Sequence, residues 1–589
     1  MMKRHLAVLV ALVLLISSVP VYVGAADSDF EIKNGVLTQY KGASGIVNVP
    51  GTVTEIGSYA FSKNSFISKV ILPDSVKKIG DYAFSECPAL ASVAVGNKVT
   101  VIGLCAFMDC YFLKDINLPE SLEVIGAGAF SNCYSLPGIK LGDGLTGIGA
   151  RAFSMCLGFK TINIPSKLTS IGFGAFSGCV SLENYTVSEK NTDFAAFEGV
   201  LYSKDGKKLV AYPQRREGAY TLRAGTTTIG AGAFSYAVDL TGLAGTQDVE
   251  SVEVSAFEYC ISLRDIYLPK AQVINDYAFN GCESLKTARV GSANIGQYSF
   301  AECAVLNTVI ISEGSKLIND FAFGWCPMLT NLVLPSSIQL IGINVFSYTP
   351  KDTRILCEIG TAPYKFFSSL GMLCEPLPKA SDWAVELLKA ADRFAVANLQ
   401  IGYKENATRY QFTLAVANFL EQYYNKKVDA LVKERGLTIG QFSDTEDMDI
   451  LMVNALKLVN GTGEGRFSPD ALLTREQAAT LMHRIMIDIL GVDEPEPEPE
   501  PEPEEEPGEE PEEPEDGEEP EDEVEVPEPP EPKYKDAAKI SSWALDAVNA
   551  MTDAGIMVGD GANFNPQDPC TREMCIIMFS RLWNTVNAK

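Results

Sequence analysis

Histidine is almost missing from this chain. There are two in 589 residues, His5 and His483. With His5 in the leading segment, the one remaining His leaves little room for a Ser-His-Asp triad or a His-rich zinc site. No C-x₂-C pair occurs among the 14 cysteines, so zinc-ribbon spacing is absent too. No G-x-S-x-G, H-E-x-x-H or P-loop occurs, and no paired carboxylates stand out. The chain is therefore read as no enzyme, with no cofactor and no metal. Basic residues are outnumbered, 48 Lys and Arg against 76 Asp and Glu. The basic footprint of a nucleic-acid-binding protein is missing. Long apolar runs are missing as well. Leu6 to Ile16 is unbroken but short against the roughly 20 residues of a spanning helix, so no transmembrane segment is expected.

What is present is sharply segregated. Lys3, Arg4 and His5 precede the apolar run, and the small residues Val23-Gly24-Ala25-Ala26 follow it. This order predicts a secretory signal peptide over residues 1–26. Near the other end, residues 493–532 hold 23 acids, 13 prolines and no Lys or Arg. Subtracting those 23 charges from −28 leaves −5 for the rest. Alternating Glu and Pro favours an extended, self-repelling chain without a core, so this segment is expected to be a disordered acidic linker.

Between them lies a repeat, I-G-x-x-A-F-x-x-C-x-x-L-x-x-I-x-L-P. Its Ile-Gly pairs begin at Ile56, Ile79, Ile102, Ile125, Ile148 and Ile171, 23 residues apart. The register resumes at Ile229, Val252, Ile274, Ile295, Ile318 and Ile341. A fixed period in this range predicts a leucine-rich-repeat solenoid. Leu113, Ile116 and Leu118 face inward on a short strand that Pro119 ends. Phe61, Phe84, Phe107, Phe130, Phe153 and Phe176 recur once per turn and should stack. Gly57, Gly80 and Gly103 mark a place where a side chain would not fit. The outward strand positions (Asp115, Asn117, Lys140, Thr161, Asn163, Asp265, Tyr267, Arg289, Thr308) are mixed and show no aromatic or charged stripe. The solenoid's ligand, protein or glycan, stays unnamed.

These repeats, with Ala-Phe before Cys, resemble the BspA-like leucine-rich repeats of bacterial surface proteins. The resemblance covers about residues 30–375 and implies adhesion or ligand binding. The fold expected over 27–375 is a β-rich, right-handed solenoid with a parallel sheet. Within it, 184–228 is an insertion, where Gly199-Val200-Leu201-Tyr202-Ser203-Lys204-Asp205-Gly206 predicts a hairpin with an Asp-Gly turn. Nine cysteines share one repeat position: Cys87, Cys110, Cys133, Cys156, Cys179, Cys260, Cys282, Cys303 and Cys326. Rung spacing near 5 Å would admit a disulfide. The expectation is a stack of reduced, buried thiols acting as small apolar groups.

From Ser381 the pattern turns helical. Three blocks recur, at 381–430, 440–490 and 540–589. The clearest runs Phe442-Ser443-Asp444, Asn454-Ala455-Leu456, Val459-Asn460-Gly461, Phe467-Ser468-Pro469-Asp470 and Leu473-Thr474-Arg475-Glu476-Gln477. The third keeps Ser542-Trp543-Ala544, Phe564-Asn565-Pro566 and Thr571-Arg572-Glu573; the first has Ser381-Asp382-Trp383-Ala384 and Thr408-Arg409-Tyr410-Gln411. These blocks resemble S-layer homology repeats. The resemblance implies an all-α, pseudo-threefold unit whose grooves hold acidic secondary cell-wall polysaccharide, often bearing a pyruvate ketal. The multi-domain chain is thus expected at the cell surface, bound to the wall. The alternative is a structural S-layer lattice subunit.

Thr408 with Gln411 and Thr474 with Gln477 fit the capping box; Thr571 has only half of it, since Met574 fills the partner position. Such caps place Arg409, Arg475 and Arg572 in a first helical turn, where the dipole disfavours a cation. Free N–H groups and a guanidinium there would suit a carboxylate. Trp383 and Trp543 would supply a flat surface for a sugar, as the resemblance implies. The alternative pairs each Arg with an acid of its own block, such as Glu476 or Glu573. The expected polymer-binding residues are Trp383, Arg409, Thr474, Arg475, Trp543, Thr571 and Arg572.

Overall fold

The computed structural model describes residues 25–377, 379–381, 384–391, 399, 402–490 and 533–587. The expected signal peptide, all but its last two residues, lies outside the described residues; so do the acidic segment 493–532 and Trp383. The described residues form two compact units. One runs to Leu377 and includes Leu420–Leu431; the other comprises Pro378–Phe419 and Val432–Lys589.

In the first unit most turns supply two short strands, the coil around Ile139 having only one. One is the I-x-L-P strand, such as Lys69–Ile71, Ser92–Ala94 and Asp115–Asn117, which pair in parallel with their central apolar residue buried. The other is two residues long and ends in the Ile of Ile-Gly. Lys78–Ile79 pairs in parallel with Glu55–Ile56 on one side and Val101–Ile102 on the other, 23 residues away each time. Farther along the step shortens: Val252 pairs with Ile274 and Ile274 with Ile295, after which Leu317 pairs with Leu340. The solenoid therefore absorbs deletions of one or two residues in its loops while the buried Ile stays in register. Among the described strands of this unit, antiparallel pairing occurs at the first turn, Phe30–Lys33 with Val36–Tyr40, and in the insertion.

The insertion replaces a coil without breaking the stack. Asn184–Val187 pairs in parallel with Thr161–Ile164, and Lys208–Ala211 with Thr228–Ile229. Between them Phe194–Phe197, Val200–Ser203 and Lys208–Ala211 form a meander. Gly206 sits at φ 73°, as the Asp-Gly turn requires.

The core is a stack of rings. Phe61 through Phe176 lie 4.7–5.6 Å apart, centroid to centroid, with planes within 11° of parallel. Phe234, Phe257, Phe279, Phe300 and Phe323 resume the column. Gly80 marks the tight place in each coil. Its φ is not left-handed; a Cβ there would lie 2.8 Å from the Ile56 carbonyl oxygen of the coil before.

All nine ladder cysteines are free and buried. They do more than fill space. Each thiol donates to the carbonyl of the Phe one coil back: Cys87 to Phe61 at 3.1 Å, Cys110 to Phe84 at 3.0 Å, and so on to Cys326 and Phe300 at 3.1 Å. Where the column ends, Thr349 makes the same bond to Phe323 at 2.5 Å. Cysteine suits the site because it is small, apolar and still a weak donor. Burial pushes the Cys87, Cys179 and Cys326 thiols from 9.0 to about 12.

Candidate functional site

The second unit is built on the helices Arg475–Leu490 and Arg572–Asn587 and on the Arg409–Phe419 part of a third helix of the same length, Arg409–Tyr424. Each begins where the Thr-Arg pairs predict. Thr408 Oγ1 accepts from the Gln411 N–H at 3.2 Å while Gln411 Oε1 accepts from the Thr408 N–H at 3.1 Å. Thr474 and Gln477 repeat the reciprocal pair. Thr571 accepts only from the Met574 N–H, at 3.4 Å.

The segments before these helices close a ring. Ala407 N–H donates to the Cys570 carbonyl, Cys570 N–H to Leu473, and Leu473 N–H back to Ala407, at 2.8–3.1 Å. The next two N–H groups of each helix are also taken by a neighbouring block. Arg409, Arg475 and Arg572 donate to Ala471, Asp568 and Glu405, each at 2.9 Å. Tyr410, Glu476 and Glu573 donate to Pro469, Pro566 and Tyr403. The free N–H groups expected at the helix starts are therefore occupied, because three blocks packed around one axis use them to hold each other.

The guanidinium groups follow the same rotation. Arg409 donates to the Phe467 and Asn460 carbonyls of the second block and lies 4.8 Å over the Phe467 ring. Arg475 donates to Phe564 and Val558 of the third block, 4.9 Å over the Phe564 ring. Arg572 returns to the first block, with Nε on Gln411 Oε1 and Nη1 3.0 Å from Glu405. The expected alternative, pairing with Glu476 or Glu573, is not what the structure contains. Those acids are buried and clasp the loop entering the next block. Glu476 accepts from the Ser541 N–H and hydroxyl and from Gln567. Glu573 accepts from the Ser381 N–H at 2.9 Å. At the third such place Tyr410 stands instead, its phenol kept protonated by burial and reaching Asp447 Oδ2 at 3.5 Å.

These clasps escaped sequence reasoning, although the acid that recurs after Thr-Arg was a usable signal. A second pair of acids is equally regular. Asp444 accepts from the Phe467 and Ser468 N–H groups, which hold its carboxyl below the usual carboxylate range. Asp536 does the same for Phe564 and Asn565. The third block thus begins by Asp536, ahead of the expected Ile540.

Beside Arg475 opens a cavity of about 390 Å³, walled by Val558, Gly559, Asp560, Asn565, Asp568 and Arg581 among others. Within hydrogen-bond reach, the Arg475 Nη1 meets only the Met574 sulfur, at 3.9 Å, among the described residues. Trp543 is 57% exposed. No metal-binding cluster of His, Cys, Asp and Glu occurs among the described residues.

The model of the BspA type leucine rich repeat region matches in six copies, over residues 39–137, 100–200 and 227–353. The S-layer homology domain model matches 449–479 and 533–573. The chain carries BspA-type leucine-rich repeats and a C-terminal S-layer homology domain. Both families are binding or structural modules rather than catalytic ones. S-layer homology domains bind cell-wall polysaccharide, and the combination marks a cell-surface protein. No helix among the described residues is long and apolar enough to cross a membrane. Among solved structures, the chain is similar to a leucine rich cell surface protein from Faecalibacterium prausnitzii, at 26% identity over 59% of this chain and 98% of that one (TM-score 0.44). It is also similar to the pneumococcal vaccine antigen PcpA, at 21% over 60% and 96% (TM-score 0.45). A Bacteroides ovatus leucine-rich repeat protein matches at 22% over 62% and 99% (TM-score 0.35). No curated protein matches the chain.

Proposed function

We propose that this is a secreted, non-enzymatic protein, held on the wall by its S-layer homology blocks, whose leucine-rich-repeat solenoid serves adhesion or ligand binding. On this reading the domain order is signal peptide, solenoid over 27–375, two blocks, acidic spacer, third block. The polymer sites are the grooves at Arg409, Arg475 and Arg572, with Thr474 and Thr571 fixing the helix starts and Trp383 and Trp543 offering flat surfaces to sugar rings. The polymer is acidic, and a pyruvate ketal would supply the carboxylate.

The cavity beside Arg475 carries this reading. Its guanidinium spends Nε and one Nη2 hydrogen on backbone carbonyls, and Nη1 has no oxygen partner among the described residues. A carboxylate entering the cavity would accept from those remaining donors. The helix N–H groups play no part, since neighbouring blocks hold them.

The test is sedimentation with purified wall sacculi. The double variant Arg475→Ala, Arg572→Ala should lose binding and salt dependence. Because Arg475 also ties two blocks together, Arg475→Lys is run beside it. It keeps the charge but loses the fork, and should bind more weakly, while its melting temperature reads separately what the lost bonds to Phe564 and Val558 cost. Wild-type binding by a folded double variant refutes the arginine sites. Absence of wild-type binding refutes the anchoring.

A further inference from the structure

The outward strand positions carry no stripe, but the turns after Ile-Gly do. In each coil two turn residues take left-handed backbone, and glycine holds several of these places, including Gly128, Gly174 and Gly281. Large rings hold such places in several coils, Tyr59 with Tyr82 and Tyr236 with Tyr259 among them, and toward the C-terminal end of the solenoid they form the longest run. Tyr277, Tyr298 and Phe321 sit at φ 58°, 54° and 58°, with Trp325 at 56° and Tyr348 at 60°. Bulky residues are rare in this conformation, because the Cβ crowds the backbone.

The five rings form one ladder on the surface. Tyr277 and Tyr298 stack at 5.0 Å, Tyr298 and Phe321 at 4.8 Å, and Trp325 and Tyr348 at 5.3 Å, with Trp325 6.0 Å from Phe321. Near-parallel planes that far apart cannot be face to face at van der Waals contact. At the usual stacking separation of about 3.5 Å, such centroid distances offset the rings like shingles. Tyr348 is 80% exposed, and Tyr277 and Trp325 are each 37% exposed. Stacking along the ladder accounts for the rungs that touch two neighbours; it does not account for a terminal ring left this open.

Charge decides the occupant. Residues 275–281, 296–302, 319–325 and 342–348, the coil segments that carry the ladder, contain no Lys or Arg. They contain Asp276, Glu302 and Asp320. Asp276 and Asp320 each use one oxygen to hold the N–H of the next coil, from Gln297 and Ile343. Open π faces edged with carboxylates attract a cation twice, through the ring quadrupole and through the charge.

We propose that the Tyr277–Tyr348 ladder docks a basic polypeptide segment, its Arg and Lys side chains lying across the rings. This deepens the reading of the solenoid as the ligand-binding part and is independent of the wall anchor. The probe is a fluorescein-labelled alternating Gly-Arg dodecapeptide. It is titrated by anisotropy against the full chain at about 0.15 M salt, where distant charges are screened. The acidic Pro-Glu segment attracts such a peptide too, so the decisive variants, those at Trp325 and Tyr348, leave charge unchanged. Trp325→Ala with Tyr348→Ala should weaken binding about tenfold, Trp325→Phe should retain it, and Glu302→Gln should weaken it severalfold. The proposal falls if wild type does not bind or if the double Ala variant binds like wild type. It also falls if Trp325→Phe loses binding as fully as the alanines, or if the ladder variants lose an oligosaccharide from a glycan array while keeping the peptide. The sacculus assay reads the anchor separately, so either idea can fail alone.

Discussion

Nine thiols buried one above another make the solenoid sensitive to alkali, and the size of the effect follows from their burial. Cys87, Cys179 and Cys326 are pushed up to about 12, and Cys110, Cys156, Cys282 and Cys303 well above 9.0, all by desolvation first. In the native state they hold their protons at pH 10; in the unfolded chain they do not. A folded value above the unfolded one contributes stability that is complete below pH 9 and lost as pH rises beyond it. At pH 10 each unfolded thiol gains RT ln 11, about 1.4 kcal/mol. The first hydrophobic cluster holds five of the nine, Cys87 to Cys179, and the second holds the other four. The loss is then about 7 kcal/mol for the first cluster and about 6 for the second, on the order of a whole domain's stability. Urea unfolding followed by circular dichroism in a phosphine reductant, from pH 7 to pH 10, measures it. The midpoint should be flat to about pH 8.5 and then collapse. Replacing Cys110, Cys133 and Cys156 with Ala should remove about 4 kcal/mol of the pH-dependent part, whatever it does to stability at pH 7. A midpoint that stays level through pH 10, or a triple variant with an undiminished slope, would show that the ladder does not titrate this way.

Other consequences are simpler to check. Phe130 is fully buried between Phe107 and Phe153, so Phe130→Ala should cost about 3–5 kcal/mol in the urea midpoint. Glu476→Ala strands two Ser541 donors and the Gln567 amide, a loss on the order of 3 kcal/mol that should free the third block to proteolysis. Tyr410→Phe removes only a 3.5 Å contact and should cost under about 1 kcal/mol in the same melt. Thr474→Ala should lower the helical unit's melting free energy by about 1 kcal/mol through loss of its cap. Intact mass of the protein recovered outside cells should begin near Asp27; a secreted form that still carries Met1 would refute the signal peptide.

The sequence by itself settled whatever is written within one coil or one helical turn. The 23-residue period dictated parallel pairing of Ile56 with Ile79 and Ile79 with Ile102, because a buried Ile can recur once per coil only in that register. Thr408 and Gln411 declared a helix start three residues apart, and Met574 declared the half-cap in the third block. Tertiary structure decided what crosses between coils and blocks. Cysteine recurs because the carbonyl it serves belongs to the coil before, a bond that periodicity marks but does not explain. The aromatic ladder stayed hidden because its residues lie on left-handed turns, off the alternation that marks outward strand positions. The arginines were located correctly by their caps, yet their partners were out of reach of any local pattern. Arg572 meets Gln411 across 161 residues of sequence, and Glu573 meets Ser381 across 192. Those contacts exist only once three blocks close into a ring, and that closure consumes the helix N–H groups which, in one block alone, would have been free.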